Sequence, residues 1–389
     1  MVFSSKAQLL LLVAALMAAP VSAQVDSNFY IFLCFGQSNM AGGGAGNQND
    51  KAGLLASDCD TNTRIKTLAF SDCAKTDYSL GCSVYQPARV DSVWYTAFQP
   101  IQICSEGLSP SLYFARTLLD SLRSDIKIGL IPCALSGMSL DVFIKGDSNF
   151  SIPTYAHPTL GNHSPYAWML SRLKAAQKVG VVKGAIFHQG ESGANSNSCT
   201  QKGCSLAWIP MAKMIFDTIK MDIGADTSKF PFVVGELRQD TMTPKPCCSS
   251  FNKNVDSLAK VYPHCGVASS AGLLGNGNDA YHFNCAGMRT LGARYAQQML
   301  SLSSPSYLAR AGSSGIVIER AHQYQAMKSA TSSIKIYSLD GRIIGSYAGT
   351  NVENALRNLK AGGVYLVTRK LSDGSVATLP YVNASAGTH

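Results

Sequence analysis

Three short stretches carry side chains whose types and spacing could do chemistry together. In "FGQSNMAGGG" Ser38 follows the apolar run "FYIFLC" and precedes Gly42, Gly43 and Gly44, with a further glycine at Gly46. In "NDAYHFN" Asp279 and His282 stand three apart. That spacing lets the carboxylate hold one imidazole nitrogen while the other faces across a site. A hydroxyl, an imidazole and a carboxylate in series form the relay that turns a weak hydroxyl into an attacking group. The third stretch, "HQGES", offers Gln189 and Glu191. Acyl transfer also needs N–H donors at the oxygen that becomes negative, each worth about 3 kcal/mol. The candidates are the Ser38 amide, the Gly107 amide in "EGLSPS" and the Gln189 side chain. Gly137 is held in reserve, since its more natural role is to let the backbone turn after a strand. Glu191 has two readings: a second acid orienting His282, or a group hydrogen-bonded to loop amides beneath the site. The supporting role is favoured.

Other chemistries fit less well. Glycine loops after strands hold phosphates, but "GGGAGNQNDKAG" lacks the lysine and hydroxyl that close a GxxxxGK[ST] loop, and "GQSNMAGGG" does not fit GxGxxG. Zinc needs two close ligand pairs, and the adjacent Cys247 and Cys248 are not such a pair. No metal and no cofactor are expected. His188, at a strand end, reads as packed or solvated, and His157, His163, His264 and His322 show no partner spacing.

The elements that must position these groups alternate along the chain. Strands are predicted over Phe29 to Phe35, Ile126 to Ala134, Val182 to His188, Phe230 to Leu237 and Cys265 to Ser269. Helical patterns lie between them in "SPSLYFARTLLDSLR", "SPYAWMLSRLKAAQKVG" and "SLAWIPMAKMIFDTIKMD". A closing helix, "NCAGMRTLGARYAQQMLSL", has Asn284 as its N-cap. Strand following helix following strand implies a parallel sheet covered on both faces. Ligands of such sheets bind beyond the carboxyl ends of the strands, which is where "GQSNM", "LSGMSL", "HQGES" and "NDAYHFN" fall. The glycines after Ser38 would then let the loop pass close to a ligand, while Gln37 and Asn39 bond the local backbone.

At 389 residues and 46% hydrophobic content, the chain can bury a large core and carry a smaller appendage. Residues 1–23 show Lys6, the block "LLLLVAALMAA" and then "PVSA", the anatomy of a signal peptide cleaved before Gln24, with a retained anchor as the rival reading. No other segment approaches membrane length, so a secreted or cell-surface protein with no span in the mature chain is expected. In an oxidising compartment the twelve cysteines read as disulfides. Cys199 and Cys204 bracket a small loop, and Cys59, Cys73, Cys82 and Cys104 share one irregular stretch, whereas Cys34 and Cys133 sit in apolar strands as buried thiols. The net charge of +9 comes from singly scattered lysines and arginines, which argues against a nucleic-acid groove. Residues 304–315 read as a Ser- and Gly-rich linker. Residues 316–389, with turn dipeptides Asp340-Gly341 and Asp373-Gly374, read as a small β-sandwich-like module without a chemical cluster.

The blocks "LCFGQSNMAG", "EGLSPSLYFARTL", "IGLIPCALSGMSL", "AIFHQGES" and "NDAYHFNCAGMRTLGARYA" resemble, in order, those of the SGNH hydrolases. The similarity is to the branch holding carbohydrate esterase family six and sialate O-acetylesterase-like domains. The resembling blocks span roughly Phe29 to Leu300, within a catalytic domain expected over residues 24–303. It implies a three-layer α/β/α fold with a parallel, flavodoxin-like sheet, a nucleophile at Ser38, a base at His282 and an acid at Asp279. The implied reaction removes acetyl groups from sugar hydroxyls, with acetylated plant cell-wall polysaccharide, typically xylan, as partner and no metal. A sialate or other sugar esterase, an esterase for lipid acyl groups, and a non-catalytic carbohydrate-binding surface protein are the alternatives. Where the family often shows "GxGPG", this chain has "GLSPS", keeping only Gly107. The tail, with "IKIYSLDGRII" and "LKAGGVYLVTRK", is similar to sorting domains of the type IX secretion system, which implies secretion machinery as a second partner.

Overall fold

A computed structural model describes residues 24–45, 53–80, 82, 86–147, 151–152, 163–194, 205–310, 331–338, 343–348, 364–371 and 376–382. The expected leader at 1–23, Gly46, the Cys199 and Cys204 pair, His157, His322 and both Asp-Gly turns of the tail lie outside the described residues. The chain divides into two compact units, Met1–Ala309 and Arg310–His389.

The first unit is built on β1 (Phe29–Gly36), whose eight residues "FYIFLCFG" are all buried. A strand buried on both faces reads as a continuous apolar run, because helices cover both sides of a parallel sheet. β1 is flanked by β4 (Lys127–Ala134) and β5 (Val181–His188), both parallel to it. The full order is β3-β2-β4-β1-β5-β6-β7, where β2 is Ile65–Leu68, β3 is Trp94–Thr96, β6 is Phe232–Gly235 and β7 is Cys265–Ala268. Among β4, β1, β5, β6 and β7 the chain steps outward first to one side of β1 and then to the other, which is the flavodoxin order. Only β3 runs antiparallel, at the edge.

Alternate strand residues face two cores. Phe32, Cys34, Leu130 and Val233 pack under α1 (Pro110–Leu119) and α5 (Cys285–Leu302). Ile31, Phe35, Cys133 and Phe232 pack under α2 (Pro165–Gln177), α3 (Ser205–Ile223) and α4 (Asn252–Val261). The three-layer α/β/α expectation is met. α1 starts on Pro110 with the Ser109 hydroxyl accepting the Ser111 amide, and α5 starts with Asn284 Oδ1 accepting the Gly287 amide at 2.8 Å. β2, β3 and α4 were not predicted. The two strands have four and three residues, too few to show a period, and α4 follows directly on the loop-like "CCSS".

Cys59–Cys82 and Cys73–Cys104 close the irregular stretch between β1 and α1, and Cys34, Cys133, Cys265 and Cys285 are buried thiols. Cys247 and Cys248 bond to each other. No helix among the described residues is long and apolar enough to cross a membrane.

The start of the expected linker belongs to the first unit. Leu308 is fully buried, Lys183 Nζ donates to the Tyr307 carbonyl at 2.9 Å, and the Arg123 amide donates to the Ala309 carbonyl at 3.0 Å. Residues 304–309 are therefore docked chain, because Tyr307 and Leu308 find a polar and an apolar partner there. The second unit shows one antiparallel sheet, β11-β10-β8-β9, with β8 at Thr331–Ser338, β9 at Ile343–Ala348, β10 at Val364–Leu371 and β11 at Val376–Val382. Among the described residues this is a single sheet where a sandwich was expected. Hairpin turns dictate neighbours within a sheet but not a second layer.

Burying one leucine contributes about 2 kcal/mol. A chain ending at Ser303 should therefore melt about 3 °C below one ending at Ala309, measured by circular dichroism. Equal melting temperatures would show that residues 304–309 contribute nothing to the unit.

Candidate active site

The carboxyl end of β1 turns directly into the one-turn helix Ser38–Ala41. Gly36 (φ +127°) makes this possible, since a Cβ there would sit 2.0 Å from the His188 carbonyl oxygen of β5. Gly42 (φ +106°) ends the turn, its amide donating to the Ser38 carbonyl at 2.8 Å. The Ser38 amide, at the first helical position, has no acceptor among the described residues.

His282 Nε2 lies 2.8 Å from Ser38 Oγ, and His282 Nδ1 lies 3.0 Å from Asp279 Oδ2. Asp279 Oδ1 also accepts the amides of Tyr281 and His282, both at 2.8 Å, so one carboxylate folds its own loop and holds the ring. Asn276 Nδ2 donates to Asp279 Oδ2 at 2.8 Å, and Arg238 Nη1 donates to the Asp279 carbonyl at 2.6 Å. Burial works to raise the Asp279 pKa, but the bonds from His282 and Asn276 hold it far below the usual carboxylate range. Burial likewise works to lower the His282 pKa. The Asp279 hydrogen bond and the charges of Asp279, Glu191 and Glu106 outweigh it, so the imidazole titrates above 6.5.

The glycines after Ser38 make room for the site's own side chains. A Cβ at Gly43 would lie 3.0 Å from Ser38 Cβ and 3.2 Å from His282 Nε2, and one at Gly44 would lie 2.9 Å from His282 Cβ. Asn39 reaches far beyond the local backbone it was expected to bond. Its Nδ2 donates to Glu191 Oε1 at 2.6 Å and to the Tyr281 carbonyl at 3.1 Å, and its Oδ1 accepts the Phe283 amide at 3.3 Å. Gln37 Oε1 similarly accepts the Gly190 amide at 3.3 Å. The serine turn is thus tied to the end of β5 and to the histidine loop.

Glu191 is buried and makes no hydrogen bond to His282. It accepts from Asn39, lies 3.3 Å from His188 Nε2 and also bonds its own backbone amide. Burial works to raise its pKa, and His188 and Asn39 bring it below the ordinary value. His188 is packed, its Nδ1 3.0 Å from the Tyr295 hydroxyl. Gln189 Oε1 accepts from Trp208 Nε1 at 2.6 Å, which leaves Nε2 as a buried donor without an acceptor among the described residues. Gly107 does not fit its expected role. Its amide donates to the Gly42 carbonyl at 3.0 Å, because the loop before α1 packs so tightly on the nucleophile turn that a Cβ at 107 would lie 1.8 Å from the Ala45 carbonyl oxygen. Gly137 (φ +75°) turns the chain after β4 with open space around it. Among the described residues no group of three His, Cys, Asp or Glu could hold a metal ion.

Asn276, Arg238 and Glu106 were not singled out from sequence, and Asn39 was expected only to bond its local backbone. Asn276 stands three residues from Asp279, a spacing that could have marked it. Nothing local marks Arg238 or Glu106.

A hydroxyl, imidazole and carboxylate lined up at the carboxyl edge of a parallel α/β sheet define a protein equipped for ester hydrolysis. Residues 28–301 match the family described as carbohydrate esterase, sialic acid-specific acetylesterase, and the chain belongs to that family. In overall fold it is similar to a protein from Arabidopsis thaliana (TM-score 0.52, 20% identity, 71% of this chain and 99% of that one). Two further matches are weaker. NanS gives a TM-score of 0.48 at 16% identity over 71% of this chain and 98% of the other. A carbohydrate acetylesterase from Xanthomonas citri gives 0.46 at 15% identity over 90% and 78%.

Removing Asn39 would leave the buried Glu191 carboxylate without its shortest donor and take the Asn39 acceptor from the Phe283 amide. Asn39→Ala should cost about 2–4 kcal/mol of stability, read from denaturant midpoints. A change below ~0.5 kcal/mol would show that the bridge carries no such load.

Proposed function

We propose that the chain is an exported serine esterase that removes O-acetyl groups from carbohydrate, acetylated xylan foremost, through an acetyl-enzyme. The observation that carries this reading is the pair of contacts at 2.8 Å and 3.0 Å along Ser38, His282 and Asp279, in a member of a sugar-acetylesterase family. His282 Nε2 takes the Ser38 proton as Oγ attacks the acetyl carbonyl. The tetrahedral oxyanion collapses, and the sugar oxygen leaves with the proton from His282. Water, deprotonated by the same nitrogen, then attacks the acetyl-serine and releases acetate. Asp279 keeps Nδ1 protonated and stabilises the imidazolium. The Ser38 amide and Gln189 Nε2, both donors without acceptors among the described residues, are the oxyanion donors this reading retains. Export is supported by the leader-like residues 1–23 and the disulfides. The C-terminal unit would serve secretion or surface retention.

Ser38→Ala should abolish acetate release from acetylated xylan with a native circular dichroism spectrum. Asp279→Asn should lower kcat about 10³- to 10⁴-fold with KM nearly unchanged, and Glu191→Gln should cost far less. Full turnover in Ser38→Ala would sink the assignment. A large loss in Glu191→Gln alone, with Asp279→Asn nearly normal, would move the acid to Glu191.

The base must be neutral to act, and its pKa is raised, so kcat/KM should climb with pH through an acid limb centred above 6.5. Taking the negative charge from Asp279 as Asn removes the chief raising influence, and the residual activity should show that limb at lower pH. An unmoved limb would mean that another group sets it.

A further inference from the structure

Glu106 belongs to no part of the Ser38, His282 and Asp279 line, yet three contacts bring its loop and the neighbouring loops beside that line. Ser136 Oγ, just past the carboxyl end of β4, donates to Glu106 Oε1 at 2.7 Å. The next residue, Gly107, donates its amide to Gly42 of the nucleophile turn at 3.0 Å. Ser192 Oγ, past the end of β5, donates to the Gly137 carbonyl at 3.1 Å, so the loops bearing Glu106, Ser136 and Glu191 ring the same edge of the sheet. The Glu106 side chain is partly exposed, and among the described residues nothing donates to its second oxygen.

The charges that act on His282 are Asp279, Glu191 and Glu106, all carboxylates. Asp279 is engaged by His282 and Asn276, and Glu191 is buried against Asn39 and His188. The arginine behind the histidine loop, Arg238, has 1% of its side chain exposed and is paired with Asp240 at 2.6 Å. Glu191 Oε2 also lacks a partner among the described residues but is enclosed, so of the three carboxylates Glu106 has the uncommitted oxygen that is not buried, and no cation is among the charges that act on His282.

We propose that Glu106 sets the substrate class of this site: its free oxygen accepts a hydrogen bond from a hydroxyl of an O-acetylated neutral sugar, and its charge disfavours sugars that carry a carboxylate near the acetyl group, sialates included. The inference rests on the ester hydrolysis proposed above. Two acceptors of like charge cannot satisfy each other, and repulsion across a partly desolvated gap is much stronger than in water. Burial raises the Glu106 pKa, opposed by the Ser136 bond and the His282 charge, so the discrimination weakens as the medium becomes acid.

The test compares acetate release from an O-acetylated methyl galacturonide with release from the matching carboxamide, which lacks the charge, in mildly alkaline buffer of low ionic strength. Wild type should favour the carboxamide in kcat/KM by about tenfold or more, mainly through KM, and added salt should shrink the ratio. Glu106→Gln should bring it to within about twofold. A wild-type ratio near one, a ratio indifferent to salt, or the same ratio in folded Glu106→Gln would overturn the proposal. A wild-type ratio near one or indifferent to salt overturns the proposal even if the variant fails to fold. Absence of acetate from both substrates and from p-nitrophenyl acetate would overturn the esterase reading, and this inference with it.

Discussion

The hydrogen bond between Ser38 Oγ and His282 Nε2 joins residues 244 positions apart, and it is made or lost within a few tenths of an ångström. Every nearby feature holds one of its ends. On the serine side, β1 pairs with β5 from Phe32 opposite Gly184 to Gly36 opposite His188, so the turn bearing Ser38 starts from a fixed backbone. On the histidine side, Asp279 bonds two amides of its own loop before it touches the ring. Asn39 then connects the two sides through the Tyr281 carbonyl and the Phe283 amide. The imidazole is not free to follow the hydroxyl or to drift from it.

Beneath that bond lies a second, fully buried group of polar residues: Glu191, His188 and Tyr295. Burying a carboxylate is unfavourable unless it is paired and hydrogen-bonded. Here the compensation comes from Asn39 and from the neighbouring imidazole, while the Tyr295 hydroxyl, on a helix of the opposite layer, bonds the Phe187 carbonyl. The arrangement fixes the angle between the end of β5 and helix α5, and α5 begins immediately after the histidine loop. Glu191 also adds a negative charge that favours the cationic form of His282 without touching it.

Much of this was legible in the sequence where the signal is local. β1, β4 and β5 declare themselves as long apolar runs, and "DAYH" declares its geometry through a three-residue spacing that a turn converts into a hydrogen bond. The misses share a cause: each depends on where a distant segment ends up. Nothing near Gly107 says that its amide will meet the Gly42 carbonyl, and nothing near Glu106 says that Ser136 will hold it. The docking of Tyr307 depends on Lys183, whose ammonium lies 4.4 Å from the tyrosine ring. The α4 helix is a different case, since Val255 and Leu258 carry a legible helical spacing that the preceding cysteines and serines obscured.

The central place of β1 has a consequence for how the chain folds. Among the described strands it is made first, it is buried along its whole length, and both neighbours, Lys127–Ala134 and Val181–His188, are made much later. Until they arrive, "FYIFLCFG" is an unpaired apolar strand with two open edges, the kind of segment that seeks partners in other chains. Its pairings are non-local and parallel, which makes them slow to form. Recovery of native protein should therefore depend on how long the amino-terminal third must wait for the middle of the chain. A chaperone that holds that strand during synthesis would matter more to yield than any adjustment of the finished fold.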